Sequence, residues 1–539
     1  MKKTIRSFLM LTLAFTLLIA GCSGGGTDSE GSETGGNDAV QEKNELVYAQ
    51  SVSITDLDTA GMQPQGYPAG YEAAFALYNG LVKFDEEMNF VEDLATEWQV
   101  EEDGVTWTFQ LKEGVTFHDG TTFNADAVVF VYERMIDPEI NIGAYTLWEP
   151  IEEVVKVDDY TVQIITKEPY GGLLNVMAHG SALIPSPAAI EEHGDKYGLH
   201  PVGTGPYKLD SFDPGKQLVL SRNEDYFDGE PRYEKLTFTY VADSSARIAA
   251  LKSGEVDVID AVPVENANEL DADPNIDVIN KSGLQVFGVG LNQNNEILQD
   301  EAVRQALNYA IDKDSLIEVV FKGYGELIDS PLASGTIGHV SSGDYNHNVE
   351  KAVELLETAG WIKGDDGVFV KDGQKMAFNF LVPEGAYPKD VMVAENIQSQ
   401  LKAAGVEVEI NTVEQATFWD NLKVPAGTDY DMVLWGYNPS HGDGYIHLDS
   451  LFSTNPDEGA APPLWNHIWY TNAEVDQLLD EAAKQVDLDQ RTELLGQAQQ
   501  QIWEDAPYIW LYANSIITAK NSDVEGVQVL PVVFTQVHE

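Results

Sequence analysis

Short stretches of alternating apolar and polar residues recur from residue 46 onward, and this alternation is typical of half-buried strands. The stretches read TWTFQL (106–111), YTVQIIT (160–166) and VEVEINTV (406–413). Between them, apolar residues repeat every three or four positions, as on the buried face of an amphipathic helix. The helices predicted in this way cover 123–137, 300–312, 349–360, 390–405 and 473–486. Repeated alternation of strands and helices favours an α/β fold with helices covering sheets.

Polar and glycine residues mark several boundaries of these elements. Asn124 precedes an apolar-faced helix and is its predicted N-cap. Glycines end the helices that finish at residues 360 and 405, as expected for C-caps. After a helix that ends near residue 505, two apolar runs, 508–519 and 525–533, predict strands that return to an earlier sheet.

The N-terminus has the pattern of an export signal, with basic residues before an apolar run from Phe8 to Ala20. We assign residues 1–21 to this signal. Cys22 is the single cysteine of the chain, and the sequence IAGC before the predicted cut resembles the lipobox of bacterial lipoproteins. That resemblance implies a lipid anchor at Cys22; the alternative is an ordinary signal peptide with an incidental cysteine. Residues 22–45 are rich in glycine, serine and acids and predict a flexible tether.

Composition limits the partners of the chain. The net charge is −58, which argues against nucleic acid or anionic lipid, because both require a basic surface. The acids are dispersed and 43% of the residues are hydrophobic, so we expect a globular protein with an acidic surface. A saline or alkaline medium outside the cell explains such a surface.

The common catalytic and metal motifs are missing from the sequence. There is no H-E-x-x-H, no G-x-S-x-G, no G-x-x-x-x-G-K-[ST] and no cysteine pair. The glycine-rich GTGPYKL (203–209) leads into a strand rather than a helix, so phosphate binding is not expected there. We therefore predict no catalysis, no cofactor and no resident metal.

Four landmarks in order along the chain resemble one family, the extracellular solute-binding proteins of family 5, which feed ABC importers. The first combines the FHDG turn (117–120) with the ADAV helix start (125–128), and the second is HPVGTGPYKLDSF (200–212). The others are EAVRQALNYAIDKDSLIEVVFKGYG (301–325) and YDMVLWGY (430–437). Because the landmarks keep the order of the family over nearly all of residues 46–535, the resemblance is specific to the family.

This resemblance implies a bilobed periplasmic-binding-protein-like α/β fold of type II, with two hinged lobes around a ligand cleft. Lobe 1 would cover residues 46–285, with an extra subdomain at about 86–200. Lobe 2 would cover residues 286–508. The C-terminal segment 509–539 would return to lobe 1.

The loop WGYNPSHGDGYIHL (435–448) holds most of the candidate ligand contacts that the resemblance implies. Peptide-binding members are thought to hold the α-ammonium of the ligand with an aspartate in this loop, where the chain has Asp443; the alternative is a loop-capping aspartate. Trp435, Tyr437 and Tyr445 would provide apolar and cation–π surface.

Other candidate contacts come from single residues. His441 is expected to touch ligand, but it lies six positions from His447, a spacing that suits no standard metal pair. Thr204 is the residue of the GTGPY loop most able to face a cleft. Lys389 is the only cation near the position where dipeptide binders carry an arginine for the ligand carboxylate. We expect His118 and Arg304 to be structural.

The sequence and this resemblance thus predict a substrate-binding lipoprotein of an ABC importer that captures a short peptide or a glutathione-like solute and delivers it to a membrane permease. We expect it to be a monomer on the extracellular face of the cell envelope. A nickel-chelate binder is a first alternative, although segment 175–187 lacks the arginine of the nickel branch. A peptide hydrolase that uses the histidine- and aspartate-rich loop is a second alternative.

Overall fold

The structure of the protein is a computed structural model that describes residues 44–61, 70–140, 145–422, 430–439, 441–455, 465–532 and 534–537. The predicted export signal, Cys22 and the tether as far as residue 43 lie outside these described residues. Glu45, the last residue of the predicted tether, already begins the first strand.

The helices of the described residues are numbered in chain order: α1 (Tyr71–Leu77), α2 (Ala125–Ile136), α3 (Tyr145–Trp148), α4 (Leu173–Met177), α5 (Pro187–His193), α6 (Ser244–Ser253), α7 (Val264–Asp271), α8 (Glu301–Tyr309), α9 (Lys313–Phe321), α10 (Val349–Thr358), α11 (Asp390–Ala404), α12 (Gln415–Leu422), α13 (Gly444–Phe452), α14 (Ala473–Lys484) and α15 (Leu488–Asp505). None of them is long and apolar enough to cross a membrane.

The strands of the same residues are β1 (Glu45–Gln50), β2 (Val82–Phe84), β3 (Phe90–Glu92), β4 (Ala95–Val100), β5 (Thr106–Leu111), β6 (Ile151–Asp158), β7 (Thr161–Thr166), β8 (Tyr207–Asp213), β9 (Gln217–Arg222), β10 (Lys235–Tyr240), β11 (Val258–Ile259), β12 (Ile276–Leu291), β13 (Glu326–Leu327), β14 (Ile362–Lys363), β15 (Phe369–Lys371), β16 (Gln374–Lys375), β17 (Ala377–Glu384), β18 (Glu407–Glu414), β19 (Met432–Tyr437), β20 (Tyr508–Asn521), β21 (Val527–Leu530) and β22 (Phe534–Val537).

The five helices and three strands predicted from the hydrophobic pattern are all present, with ends shifted by a few residues. The Asn124 side chain caps α2 by accepting a hydrogen bond from the Ala127 N–H, and Gly405 ends α11 in the left-handed region at φ 95°. In β5, Trp107, Phe109 and Leu111 are buried on one face. Local periodicity and capping therefore determine these elements.

The main sheet has the strand order β18-β17-β19-β12-β20-β11-β1-β10-β9-β8, and β13 pairs with β20 beside this path. Parallel pairs lie in both wings, between β1 and its neighbours β10 and β11, and between β17 and its neighbours β18 and β19. A separate antiparallel sheet, β4-β5-β7-β6, forms within the expected subdomain and is covered by α2.

Two long antiparallel strands, β12 and β20, connect the wings. Their register shifts between Ser282 and Val286, where Asn514 Oδ1 accepts a hydrogen bond from the Gln285 N–H at 3.2 Å. A Cβ at Gly283 would lie 2.3 Å from Asn514 Oδ1, so the bulge requires glycine there. Bulges of this kind bend a strand and increase its twist.

The buried apolar residues separate at this bulge. Two clusters contain residues from Leu46 to Leu284 together with C-terminal residues from Ile517 onward. Two others contain residues from Phe287 to Tyr512. We propose that the lobe boundary in the C-terminal strand lies near Asn514, and not at residue 508, because the first residues of β20 pack in the second pair of clusters. The strand predicted at 525–533 does not join the main sheet; β21 pairs with β22 instead.

Candidate functional site

A cavity of about 900 Å³ lies where the two wings of the main sheet meet. One wall comes from the end of β1 and the segment before α7, and the facing wall comes from the segment before α11 and the end of β19. The middle of β20 completes the lining. Its volume is in the upper part of the range for small-molecule sites, roughly 300–1,000 Å³.

Three tryptophans form an aromatic wall on the β19 side. The ring centroid of Trp435 lies 5.6 Å from that of Trp419 and 5.7 Å from that of Trp465. Trp435 is only 4% exposed, and its indole Nε1 has no hydrogen-bond partner among the described residues. A buried N–H without a partner is costly, so this group is a candidate donor to a bound molecule.

A second aromatic wall is built from the strands that connect the wings. Phe287 of β12 stacks on Tyr512 of β20 at 5.1 Å, and Tyr387 meets the Phe287 ring edge-on at 5.2 Å. Burial raises the pKa of both tyrosines, so their hydroxyls stay neutral. Gly436 permits this packing, since a Cβ there would lie 2.5 Å from a Phe287 ring carbon.

Two carboxylates line the wall that includes the end of β1. Asp260 accepts hydrogen bonds from the Ser51 N–H at 2.8 and 3.0 Å and from the Ser51 hydroxyl at 2.8 Å. Glu72 accepts one from Gln50 Nε2 at 3.0 Å. Burial raises the pKa of Asp260 above its usual value, against the opposing effect of the Ser51 hydrogen bonds.

The predicted contacts Trp435, Tyr437 and Lys389 line the cavity. The Tyr437 hydroxyl donates to Ser450 Oγ at 3.1 Å, and burial raises the pKa of Tyr437 to about 12. Lys389 precedes α11 with a left-handed backbone, φ 61°. Its ammonium pairs with Glu265 of α7 across the cavity and lowers the pKa of that carboxyl group. A ligand carboxylate would have to compete with Glu265 for it.

Asp443 does not line the cavity. Its Oδ1 accepts the Tyr445 N–H at 3.0 Å as the N-cap of α13, and its Oδ2 pairs with Arg491 Nη2 at 2.9 Å. The side chains of Asp443 and Arg491 are 0% and 1% exposed. The carboxylate is thus buried and caps a helix, in agreement with the loop-capping alternative, and we propose that its role is structural.

The other three predicted contacts also lie off the cavity lining. His441 is buried, its carbonyl accepts a hydrogen bond from Asn175 Nδ2 at 3.0 Å, and burial lowers its pKa. Tyr445 lies under the guanidinium of Arg491, 5.6 Å from ring centroid to Cζ. Thr204 is buried and donates to Asn79 Oδ1 at 3.0 Å. Each side chain is held in packing, which places it away from the cavity.

His118 and Arg304 have the structural roles expected from the sequence. His118 Nε2 bonds the Gly205 carbonyl at 2.9 Å and its Nδ1 accepts the Gly203 N–H at 3.3 Å, so the FHDG turn holds the GTGPY loop. Burial lowers the pKa of His118 to about 4. Arg304 donates to the backbone carbonyls of Asp505, Leu298 and Gln299.

Sequence reasoning missed Asn438, which lines the cavity with an Oδ1 that has no partner among the described residues. It directly follows Tyr437 at the end of β19, so its position beside two predicted contacts was an available signal. Asp260 and Glu72 gave no such signal, because each is one acid among 89 Asp and Glu residues.

The family model of the bacterial extracellular solute-binding proteins, family 5 middle, matches residues 89–459. The glutathione-binding protein GsiB of Pectobacterium atrosepticum is 31% identical over 85% of this chain and 87% of its own. The structure of HbpA2 from Haemophilus parasuis is similar with a TM-score of 0.81 and 27% identity, covering 92% of this chain and 99% of its own.

The oligopeptide-binding protein AppA of Bacillus subtilis, solved in complex with a nonapeptide, is also similar. Its TM-score is 0.66 and its identity 26%, covering 93% of this chain and 100% of its own. These relatives share the predicted bilobed fold around a ligand cleft. The chain belongs to the bacterial extracellular solute-binding proteins of family 5, the substrate-binding proteins of ABC importers.

Proposed function

We propose that this protein captures a short peptide in the cavity between its lobes and delivers it, intact, to the permease of an ABC importer. The observation that carries the proposal is that one wall offers both a neutral donor and a neutral acceptor. They are the indole N–H of Trp435 and the amide Oδ1 of Asn438, and neither has a partner among the described residues. A peptide unit offers the complementary carbonyl and N–H.

The aromatic walls fit the same class of ligand. Trp435, Tyr387 and Tyr512 line the cavity with aromatic rings, which suit the apolar side chains of a peptide. The relative in complex with a nonapeptide supports a peptide, and the relatives named as glutathione-binding make this tripeptide a second candidate. The described residues contain no group of three His, Cys, Asp or Glu side chains able to hold a metal ion.

We propose that the bulge at Gly283 and Asn514 is the point about which the lobes close. We also propose that the chain works as a monomer on the extracellular face of the cell envelope, anchored by a lipid on Cys22. A Cys22→Ala variant should then lose incorporation of labelled fatty acid and appear in the medium. Retained labelling in that variant would contradict the anchor.

Calorimetric titration with unmodified peptides of two to five residues, together with small-angle X-ray scattering, tests the peptide function. A binding peptide should reduce the radius of gyration, and mass spectrometry should recover the peptide uncut. Released fragments would support the hydrolase alternative. Binding of nickel with free histidine, but of no peptide, would support the chelate alternative.

Two tryptophan variants make this test specific to the cavity. Trp435→Phe removes the N–H and should weaken peptide binding about fivefold, since a hydrogen bond contributes about 1 kcal/mol. Trp107→Phe is the matched control, because Trp107 is equally buried, also has an Nε1 without a partner, and lies in the subdomain sheet outside the cavity lining. Equal losses in both variants would contradict a direct role of Trp435.

A further inference from the structure

The charged side chains of the cavity lining are three carboxylates and one ammonium among the described residues: Glu72, Asp260, Glu265 and Lys389. Lys389 is paired with Glu265 across the cavity. The other two carboxylates, Glu72 and Asp260, line the wall that includes the end of β1. The lining therefore has a formal excess of negative charge.

One further cation lies behind this lining. Arg247 is 3% exposed, and its Nε lies 3.5 Å from Asp260 Oδ1. Its Nη1 donates to the Val241 and Ala242 carbonyls at 2.7 and 3.0 Å, and its Nη2 donates to the Ala261 carbonyl at 3.2 Å. Arg247 would have to abandon these backbone bonds to reach a ligand. It offsets part of the charge of Asp260 without offering a carboxylate site.

The two carboxylates are held by consecutive residues. Gln50 donates to Glu72 and Ser51 donates to Asp260, so both acids are fixed at the end of β1. A carboxylate has about four lone-pair sites, and Ser51 fills three of those of Asp260. Its own backbone N–H supplies a further hydrogen bond, and the carboxylate remains 21% exposed where it lines the cavity. An ammonium is the group that such a site binds best.

Resting on the peptide function proposed above, we propose that the cavity selects peptides of net positive charge, with an amine at Asp260 and Glu72, and rejects net-negative solutes, among them glutathione. Glutathione has two carboxylates and one ammonium, whereas the one cation of the described lining, Lys389, is paired with Glu265, and Arg247 behind it is bonded to backbone carbonyls. The aromatic walls accept the apolar side chains and contribute cation–π surface. The acidic lining supplies the charge preference.

Three dipeptides with the same side chains isolate the charge. Leu-Phe-amide, Leu-Phe and N-acetyl-Leu-Phe have formal charges of about +1, 0 and −1 at neutral pH, from ordinary terminal pKa values. Calorimetry in dilute salt should give Kd values that rise about tenfold from the amide to the free acid and at least tenfold again to the acetylated peptide. Glutathione should bind no more tightly than the acetylated peptide.

Variants assign the preference to the site. Asp260→Asn should reduce the ratio between amide and free acid severalfold, whereas Glu255→Gln, an equal charge change on an exposed turn outside the lining, should keep the parent ratio. The Lys389→Met/Glu265→Gln double variant removes the ion pair across the cavity without changing the net charge of the lining, so it should weaken all three peptides by the same factor. A selective loss of the free acid in that variant would restore Lys389 as a carboxylate contact and overturn the proposal. Urea midpoints verify that each variant is folded.

The outcomes separate this proposal from the one on which it rests. Equal affinity for all three peptides, tighter binding of glutathione than of the amide, or an unchanged ratio in Asp260→Asn would overturn the charge preference while the peptide function stands. If none of the peptides binds, the peptide function fails and the charge preference fails with it.

Discussion

The buried ion pair between Asp443 and Arg491 gives the sharpest test of the structural role that we propose for Asp443. Its oxygen and nitrogen are 2.9 Å apart, and both side chains are essentially unexposed. Removal of one partner of a buried pair costs about 3–5 kcal/mol, because the other charge is left without compensation. Asp443 also caps α13, and loss of a cap costs about 1 kcal/mol more. Asp443→Ala should therefore lower the free energy of unfolding by about 4–6 kcal/mol, a large share of a typical total of about 5–15 kcal/mol.

Urea unfolding followed by tryptophan fluorescence measures this loss. Arg491→Met should be destabilising as well, and the Asp443→Ala/Arg491→Met double variant should lose about 2–3 kcal/mol less than the sum of the single variants, since neither charge then remains buried alone. Asp480→Ala is the control: it removes an aspartate from an exposed position on α14 and should change stability by no more than about 0.5 kcal/mol.

Peptide affinity decides between the two roles of Asp443. If the carboxylate is structural, Asp443→Ala should bind peptide with a Kd within about threefold of the parent, at a temperature where the variant is folded. A variant as stable as the parent that no longer binds peptide would refute the reasoning, because it would show that the carboxylate contacts ligand and contributes little to the fold.

Three further predictions concern pH, packing and the contact across the cavity. Burial lowers the pKa of His179 to about 3 from an unfolded value near 6.5, so between these pH values only the unfolded state binds the proton. The free energy of unfolding should therefore fall as pH drops from about 6.5 toward 3, by about 1.4 kcal/mol per pH unit from this residue. Urea midpoints of His179→Gln should show a flatter pH dependence. In Gly203→Ala the new Cβ would lie 2.1 Å from the Leu77 carbonyl oxygen, so urea unfolding should show a free energy of unfolding about 1–3 kcal/mol lower. Gly61→Ala is the control and should change it little, because a Cβ at Gly61 meets no atom within 4 Å. Lys389→Met should accelerate peptide release in stopped-flow measurements about twofold to fivefold, because its partly exposed ion pair with Glu265 contributes up to about 1 kcal/mol. Added salt should likewise accelerate release from the parent protein. A release rate independent of salt would contradict this role of the ion pair.

The fold was predictable where local signals were strong. Capping by Asn124 and the glycine at residue 405 set the ends of α2 and α11, and alternation in β5 identified its buried face. The bulge at Asn514, where we propose the lobe boundary, was not predicted, because no local pattern in β20 marks it. That bulge depends on pairing with β12, more than 200 residues earlier in the chain.

The candidate site was predictable only in part, for the same reason. Trp435 and Tyr437 are two positions apart and so lie on the same face of β19, and both line the cavity. Phe287 and Tyr512 reach it because the strand order places β12 between β19 and β20, an order that the chain sequence does not follow. The ion pair of Asp443 was not predictable from the local sequence, because its partner, Arg491, is 48 residues away on α15.

Under the proposed function, one short segment connects ligand binding to the contact between the proposed lobes. Trp435 and Asn438 line the cavity, and a few residues later His441 is bonded to Asn175 of the other lobe. The Asp443–Arg491 pair fixes the end of this segment. A ligand that draws Trp435 and Asn438 toward it therefore acts on a segment whose other end is anchored at the lobe contact. Under the proposed function, Trp435 and Asn438 bind the solute, while the hydrogen bond of His441 and the ion pair of Asp443 hold the segment that follows them.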